Sequence, residues 1–309
     1  MRQRLPKWAT AGMAAMCVAL LVNGCEARVW GTPPAADDTP PATVVTPPAT
    51  LPVLPAAPPD QAAAPFDGLE ARVRQATADA AASGATIETV VMDRDTGQII
   101  SNGVTKPFPI ASVVKLFIAD DLLLQQSTGQ TTLSAADRKS LDVMLRSSDD
   151  SAAQMFWDRS GGNAVISRVK ARYGLAGTTA PYNGHWDVTQ STAGDLVRYY
   201  DMLLDGTGGL PPEQAVVIMS NLAQSTPTGS DGYPQRFGIP EGLFAEPVAV
   251  KQGWFCCWSG ANQLHVSTGA IGPDRRYVIA ISSLEPDDAA DARDTMTQAV
   301  KTMFPGGKI

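Results

Sequence analysis

The sequence predicts an α+β fold, with a five-stranded antiparallel sheet flanked by helices and a second lobe that is all helical. Three observations carry this reading. Two short strand-like runs lie near residue 90, three more follow residue 248, and the apolar residues between 112 and 222 recur at helical spacing. A cleft between the sheet and the helical lobe follows from that order.

Asp67-Gly68-Leu69-Glu70 has the spacing of a capping box, and Leu69, Val73, Ala76 and Ala80 continue it as one apolar stripe, so a first helix should run to about Ala82. Ile87 to Met92 then reads as a strand, Asp95-Thr96-Gly97 as a turn, and Ile99-Ile100 as the start of the returning strand. Helical periodicity fills 112–126, 134–146, 149–159, 163–173, 192–205 and 211–222, with Ser134, Asn163 and Thr192 as caps. Strands return at Val248 to Gly253, Gln263 to Ala270 and Tyr277 to Ser283. The turn Gly272-Pro273-Asp274 joins the last two, and a final helix from about Asp287 to Met303 should share a sheet face with the first.

The chain has 309 residues, but 11 of its 24 prolines fall between Gly31 and Pro65, a segment of Pro, Ala and Thr that suits an extended spacer. Ahead of it, Arg2, Arg4 and Lys7 precede an apolar run from Ala9 to Val22. This is the pattern of a secretion signal, too short to remain as a spanning helix. Val22-Asn23-Gly24-Cys25 resembles a bacterial lipobox, with Asn23 as its unusual residue, and cleavage there would leave a lipidated Cys25. The expected organisation is a signal peptide over 1–24, a lipidated cysteine and linker over 25–65, and a domain over 66–309. That domain would sit outside the cytoplasm, anchored to the membrane of the cell envelope by its lipid.

Loss of three basic and no acidic residues with the signal takes the net charge from −7 to −10. An acidic surface without a basic cluster excludes nucleic acid as the main partner. Only two histidines, His185 and His265, and no Cys-x-x-Cys spacing leave too few ligands for a zinc site, so neither metal nor cofactor is expected. Of the cysteines, Cys256 and Cys257 remain in the domain, adjacent and flanked by Trp254, Phe255 and Trp258. A vicinal disulfide and two separate buried thiols are both open.

Ser112 and Lys115 stand three apart at the start of an apolar helix, on one face. A serine hydroxyl becomes a nucleophile when a neighbour takes its proton, and a desolvated lysine can do so. The spacing alone is weak, because a capped amphipathic helix produces it equally well. Two further elements strengthen it: Ser148-Asp149-Asp150 between two helices, and Lys251-Gln252-Gly253 in a late strand.

In the order and spacing of these three elements the sequence resembles the penicillin-recognising serine enzymes, above all class A β-lactamases and related DD-peptidases, whose motifs are Ser-x-x-Lys, Ser-Asp-Asn and Lys-Thr-Gly. The likeness spans most of residues 66–303, and it extends to alanine-rich mycobacterial envelope lipoproteins with such a domain. It implies a β-lactamase/transpeptidase-like fold, Ser112 as acyl acceptor and Lys115 as its general base or proton relay. Ser148 would relay a proton to the leaving nitrogen, and Lys251 would bind the substrate carboxylate. Backbone N–H groups of Ser112 and of Trp254, just after Gly253, would form the oxyanion hole.

Three departures weaken that inheritance. Asp150 replaces an amide with an acceptor-only carboxylate, which would hold Lys115 protonated. Gln252 replaces a compact hydroxyl and is expected to fill the carboxylate pocket. Between Ala171 and Gln190 there is no glutamate to activate a deacylating water, and Asp187 is the lone acid, with His185 a weak substitute. Two readings therefore stand side by side. One is a serine hydrolase acylated by β-lactams or peptidoglycan peptides and slow to deacylate; the other is a catalytically degenerate binding module. A Ser-His-Asp hydrolase is disfavoured because no Gly-x-Ser-x-Gly occurs.

Overall fold

The computed structural model describes residues 66–309. The signal segment, Cys25 and the linker lie outside the described residues. The first helix, α1 (Leu69–Ala82), buries Leu69, Val73, Ala76 and Ala80, the four positions of the expected stripe. Its capping box does not form. Gly68, with φ +67°, stands at the cap and offers no side chain, so Asp67 is one position too early to bond the first turn.

Strand β1 (Thr86–Asp93) turns into β2 (Gln98–Ser101), and the short β3 (Phe108–Pro109) leads to α2 (Lys115–Ser127). The helical lobe continues with α3 (Ala135–Arg146), α4 (Asp150–Arg159) and α5 (Asn163–Tyr173). Then come β4 (Gln190–Ser191), α6 (Ala193–Asp205), α7 (Pro212–Ala223) and a single turn, α8 (Ile239–Gly242). The chain closes with β5 (Val248–Trp258), β6 (Asn262–Ile271), β7 (Tyr277–Glu285) and α9 (Ala289–Met303). The order across the sheet is β2-β1-β7-β6-β5, antiparallel throughout, with β5 at one edge.

Capping chemistry explains several boundaries. Ser134 and Asp137 form a reciprocal capping box at α3, Asp149 accepts the Ala152 N–H at α4, and Thr192 accepts that of Asp195 at α6. Asn163 does not cap α5; Gly162 holds that place. Strand β5 runs five residues beyond the expected Gly253, because its pairing with β6 continues from Gly253 to Trp258.

The sheet separates two apolar clusters. On one face α1 and α9 pack Leu69, Val73, Met296 and Val300 against Val91 and Ile281. Val90, Val266 and Ala280 on the other face meet the helical lobe through residues such as Leu116, Phe117 and Tyr200. Each fully buried aliphatic or aromatic side chain contributes about 1.5–3 kcal/mol, so both interfaces are well supported. Within the lobe, Arg168 of α5 donates two hydrogen bonds of 2.7 Å to Asp121 of α2. Arg172 and Tyr173 bond the fully buried Asp120 one position before it. These pairs hold α2, and with it Lys115, at one height against α5.

Candidate active site

The strand β3 pairs with β4, and the Ile110 N–H bonds the Thr189 carbonyl at 2.9 Å, so the chain enters the site already held against residues 189–191. Ala111–Val114 then form a 3-10 turn, not the first turn of an α-helix as the periodicity suggested. Residues i and i+3 eclipse in such a turn. Ser112 is thereby placed directly under Lys115, the first residue of α2, and Lys115 Nζ lies 2.8 Å from Ser112 Oγ. Ala111 before it has φ +46°, and Ser148, between α3 and α4, has φ +58°. Left-handed backbone at non-glycine residues costs on the order of 1–3 kcal/mol each and clusters at functional sites.

Lys115 Nζ donates to Asp150 Oδ1 at 2.6 Å and to the Ser148 carbonyl at 2.6 Å as well as to Ser112. Three acceptors within 2.8 Å match the three hydrogens of an ammonium. Its Nζ also sits 4.7 Å from the centre of the Trp186 ring, a further contact that favours positive charge. Burial pulls Lys115 below the ordinary lysine value, and the carboxylate of Asp150 works against that pull. Lys251 differs: it bonds Ser148 Oγ at 2.6 Å and the Gln252 carbonyl at 2.9 Å, two acceptors that suit a neutral amine. Burial drives it well below the ordinary value, and the charge of Lys115 adds to the push. The four residues form one connected chain, Ser112–Lys115–Ser148–Lys251.

Above this chain opens a cleft of about 460 Å³ lined by Ser112, Asp150, His185, Asp187, Asp231 and Trp254, among others. Edge strand β5 forms one wall. Gly253 is required there: a Cβ would stand 2.6 Å from the Ile110 carbonyl oxygen and 3.2 Å from the Ser112 nitrogen. Gln252 does not fill the cleft. Its side chain is buried and its Nε2 donates to the carbonyls of Phe237 at 2.6 Å and Gln235 at 3.2 Å, drawn away by the loop before α8. Trp254 stacks on Tyr233 at 4.8 Å and donates its indole N–H to Asp231 at 3.1 Å.

The chain is 62% identical over 244 residues to LppW of Mycobacterium tuberculosis, a lipoprotein by name, covering 79% of this chain and 77% of that one. The chain belongs to the LppW family. No family model matches it. Among solved structures, a PBP-A mutant captured as an acyl-enzyme with penicillin G aligns with TM-score 0.64 at 18% identity, over 78% of this chain and 96% of that one. The class A β-lactamase of Mycobacterium abscessus aligns with TM-score 0.60 at 18% identity, over 75% and 97%. This LppW relative therefore has the class A β-lactamase fold, as its three motifs implied.

In the LppW-family chain the fold brings together Ser112, Lys115, Ser148, Asp150 and Lys251, and sets Gly253 and Trp254 at the cleft wall. It keeps His265 apart. That ring is buried, 2.6 Å from Tyr233 Oη, and burial with the nearby Arg293 lowers it to about 3, so it stays neutral at physiological pH. Asp187 and His185 both reach the cleft, although neither bonds the Ser112 chain. Sequence reasoning missed Trp186, Asp231 and Tyr233, which come from loops without a motif; the stacked Tyr233–Trp254 pair joins residues 21 positions apart. Cys256 and Cys257 are joined as a vicinal disulfide at a bulge of β5, with Cys257 at φ +75°.

Proposed function

We propose that the chain is an extracytoplasmic lipoprotein, anchored through Cys25, whose β-lactamase-like domain binds a component of the cell wall without turning it over. One observation carries this reading, the 2.6 Å contact from Lys115 Nζ to Asp150 Oδ1. An ammonium has no lone pair, so Lys115 in that state cannot take the Ser112 proton. The inward-turned Gln252 and the missing loop glutamate support the same conclusion. They remove, respectively, a hydroxyl for substrate carboxylate and a base for deacylation. The name of the LppW relative supports the anchor.

Intact-mass measurement after incubation with penicillin G tests this. The native chain should show no adduct, while Asp150→Asn combined with Gln252→Thr should gain one that Ser112→Ala removes. An adduct on the native chain would instead establish the second reading, a slowly acylated serine enzyme for β-lactams or peptidoglycan peptides. The unbroken Ser112–Lys115–Ser148–Lys251 chain is what favours it. Membrane fractionation tests the anchor: Cys25→Ala should release the protein.

A further inference from the structure

A second cavity, of about 200 Å³, lies away from Ser112, between the helical-lobe face of the sheet and the loop that precedes β3. Glu88 is one of its lining residues. This carboxyl group is 4% exposed; Oε1 accepts the N–H of Ala193, the first residue of α6, at 2.8 Å, while Oε2 is buried with no partner among the described residues. A buried polar atom without a partner costs about 1–3 kcal/mol and marks a place where a donor is expected. Ser282 stands opposite Glu88 in the β1–β7 register and lines the same cavity. Phe108, Trp258 and Leu264 supply apolar walls, and the exposed Lys106 stands at the rim without an ion pair among the described residues.

The lining grades in exposure from the buried Glu88 through the half-buried Phe108 and Trp258 to the exposed Lys106. A simple amine would satisfy Glu88 but meet like charge at Lys106, and a simple carboxylate would do the reverse. We propose that this cavity binds an amino-acid-sized zwitterion, its ammonium on Glu88 and Ser282, its short apolar side chain against Phe108 and Trp258, and its carboxylate toward Lys106. The site is independent of the cleft above Ser112. Phe255, which lines the cleft, meets two residues that line this cavity: Trp258, edge to face at 6.0 Å, and Leu264, its partner across β5 and β6.

The probes are norvaline, butylamine and pentanoate, titrated by saturation-transfer NMR into the full chain in detergent micelles. A pH of about 8 keeps Glu88 ionised, because burial raises its pKa to about 7. Norvaline should bind with roughly millimolar affinity, as a ligand of its size allows, and at least about tenfold tighter than either probe with a single charge. Glu88→Gln, which keeps an acceptor for the Ala193 N–H, should abolish norvaline binding. Lys106→Ala, a surface change, should lower it to the level of butylamine. Norvaline that fails to bind the native chain overturns the proposal, as does binding unchanged in Glu88→Gln. Butylamine binding as tightly as norvaline overturns the zwitterion.

Discussion

Lys115 Nζ, fully buried, ends 2.6 Å from the carboxylate of Asp150, whose side chain is 67% exposed at the mouth of the cleft. One partner is committed to the interior and the other is still wet. That asymmetry makes the pair easy to edit from the outside, because removing Asp150 leaves the buried lysine with its desolvation and without its counter-charge.

Asp150→Asn should therefore lower the Lys115 pKa. Loss of a carboxylate at this range moves a neighbouring pKa by about 1–3 units, so the neutral fraction of Lys115 should rise at least about tenfold. A fluorescent penicillin should label the variant measurably faster than the native chain. Equal labelling of the two would show that the pair does not control Ser112.

Gly253→Ala tests the approach of β5 to the Ser112 turn. With the new methyl 2.6 Å from the Ile110 carbonyl oxygen, backbone must move, at a cost of about 1–3 kcal/mol. Urea unfolding should report a lower midpoint with an unchanged slope.

Glu88 shapes the stability profile between pH 4.5 and about 7. Its pKa is raised from 4.5 to about 7 by burial, opposed by the Ala193 N–H, so between those values the folded state holds a proton that the unfolded chain has released. Stability should fall as pH rises from 4.5 through 7, by about 3 kcal/mol in total, and then level off. Glu88→Gln should flatten this limb in urea midpoints measured against pH.

Cys256 and Cys257 are the only cysteines of the domain, and they are bonded to each other. In a chain with Cys17 and Cys25 replaced, thiol titration should read none before reduction and two after it. Two thiols without reductant would mean that the bulge in β5 does not depend on the bond.

Much of this protein was legible without coordinates. Period-two and period-3.6 patterns depend only on which side of a strand or helix is buried, so the stripe from Leu69 to Ala80 announces its helix locally, as the cap Ser134 does the start of α3. The motif residues Ser112, Lys115, Ser148 and Lys251 were recognisable because their order along the chain carries the resemblance. What only tertiary structure decided depends on partners far apart in sequence. The 3-10 turn at Ser112 opens just after the bond of Ile110 to the distant Thr189 carbonyl, and the turn of Gln252 away from the cleft follows from two carbonyls in the loop before α8. The Lys115–Asp150 pair spans 35 residues, and the Glu88 oxygen without a partner among the described residues lies where β1 meets the start of α6. A sequence determines which groups are present and which faces they prefer; whether a buried charge finds its counter-charge is a question of distance, and distances between remote segments exist only in the fold.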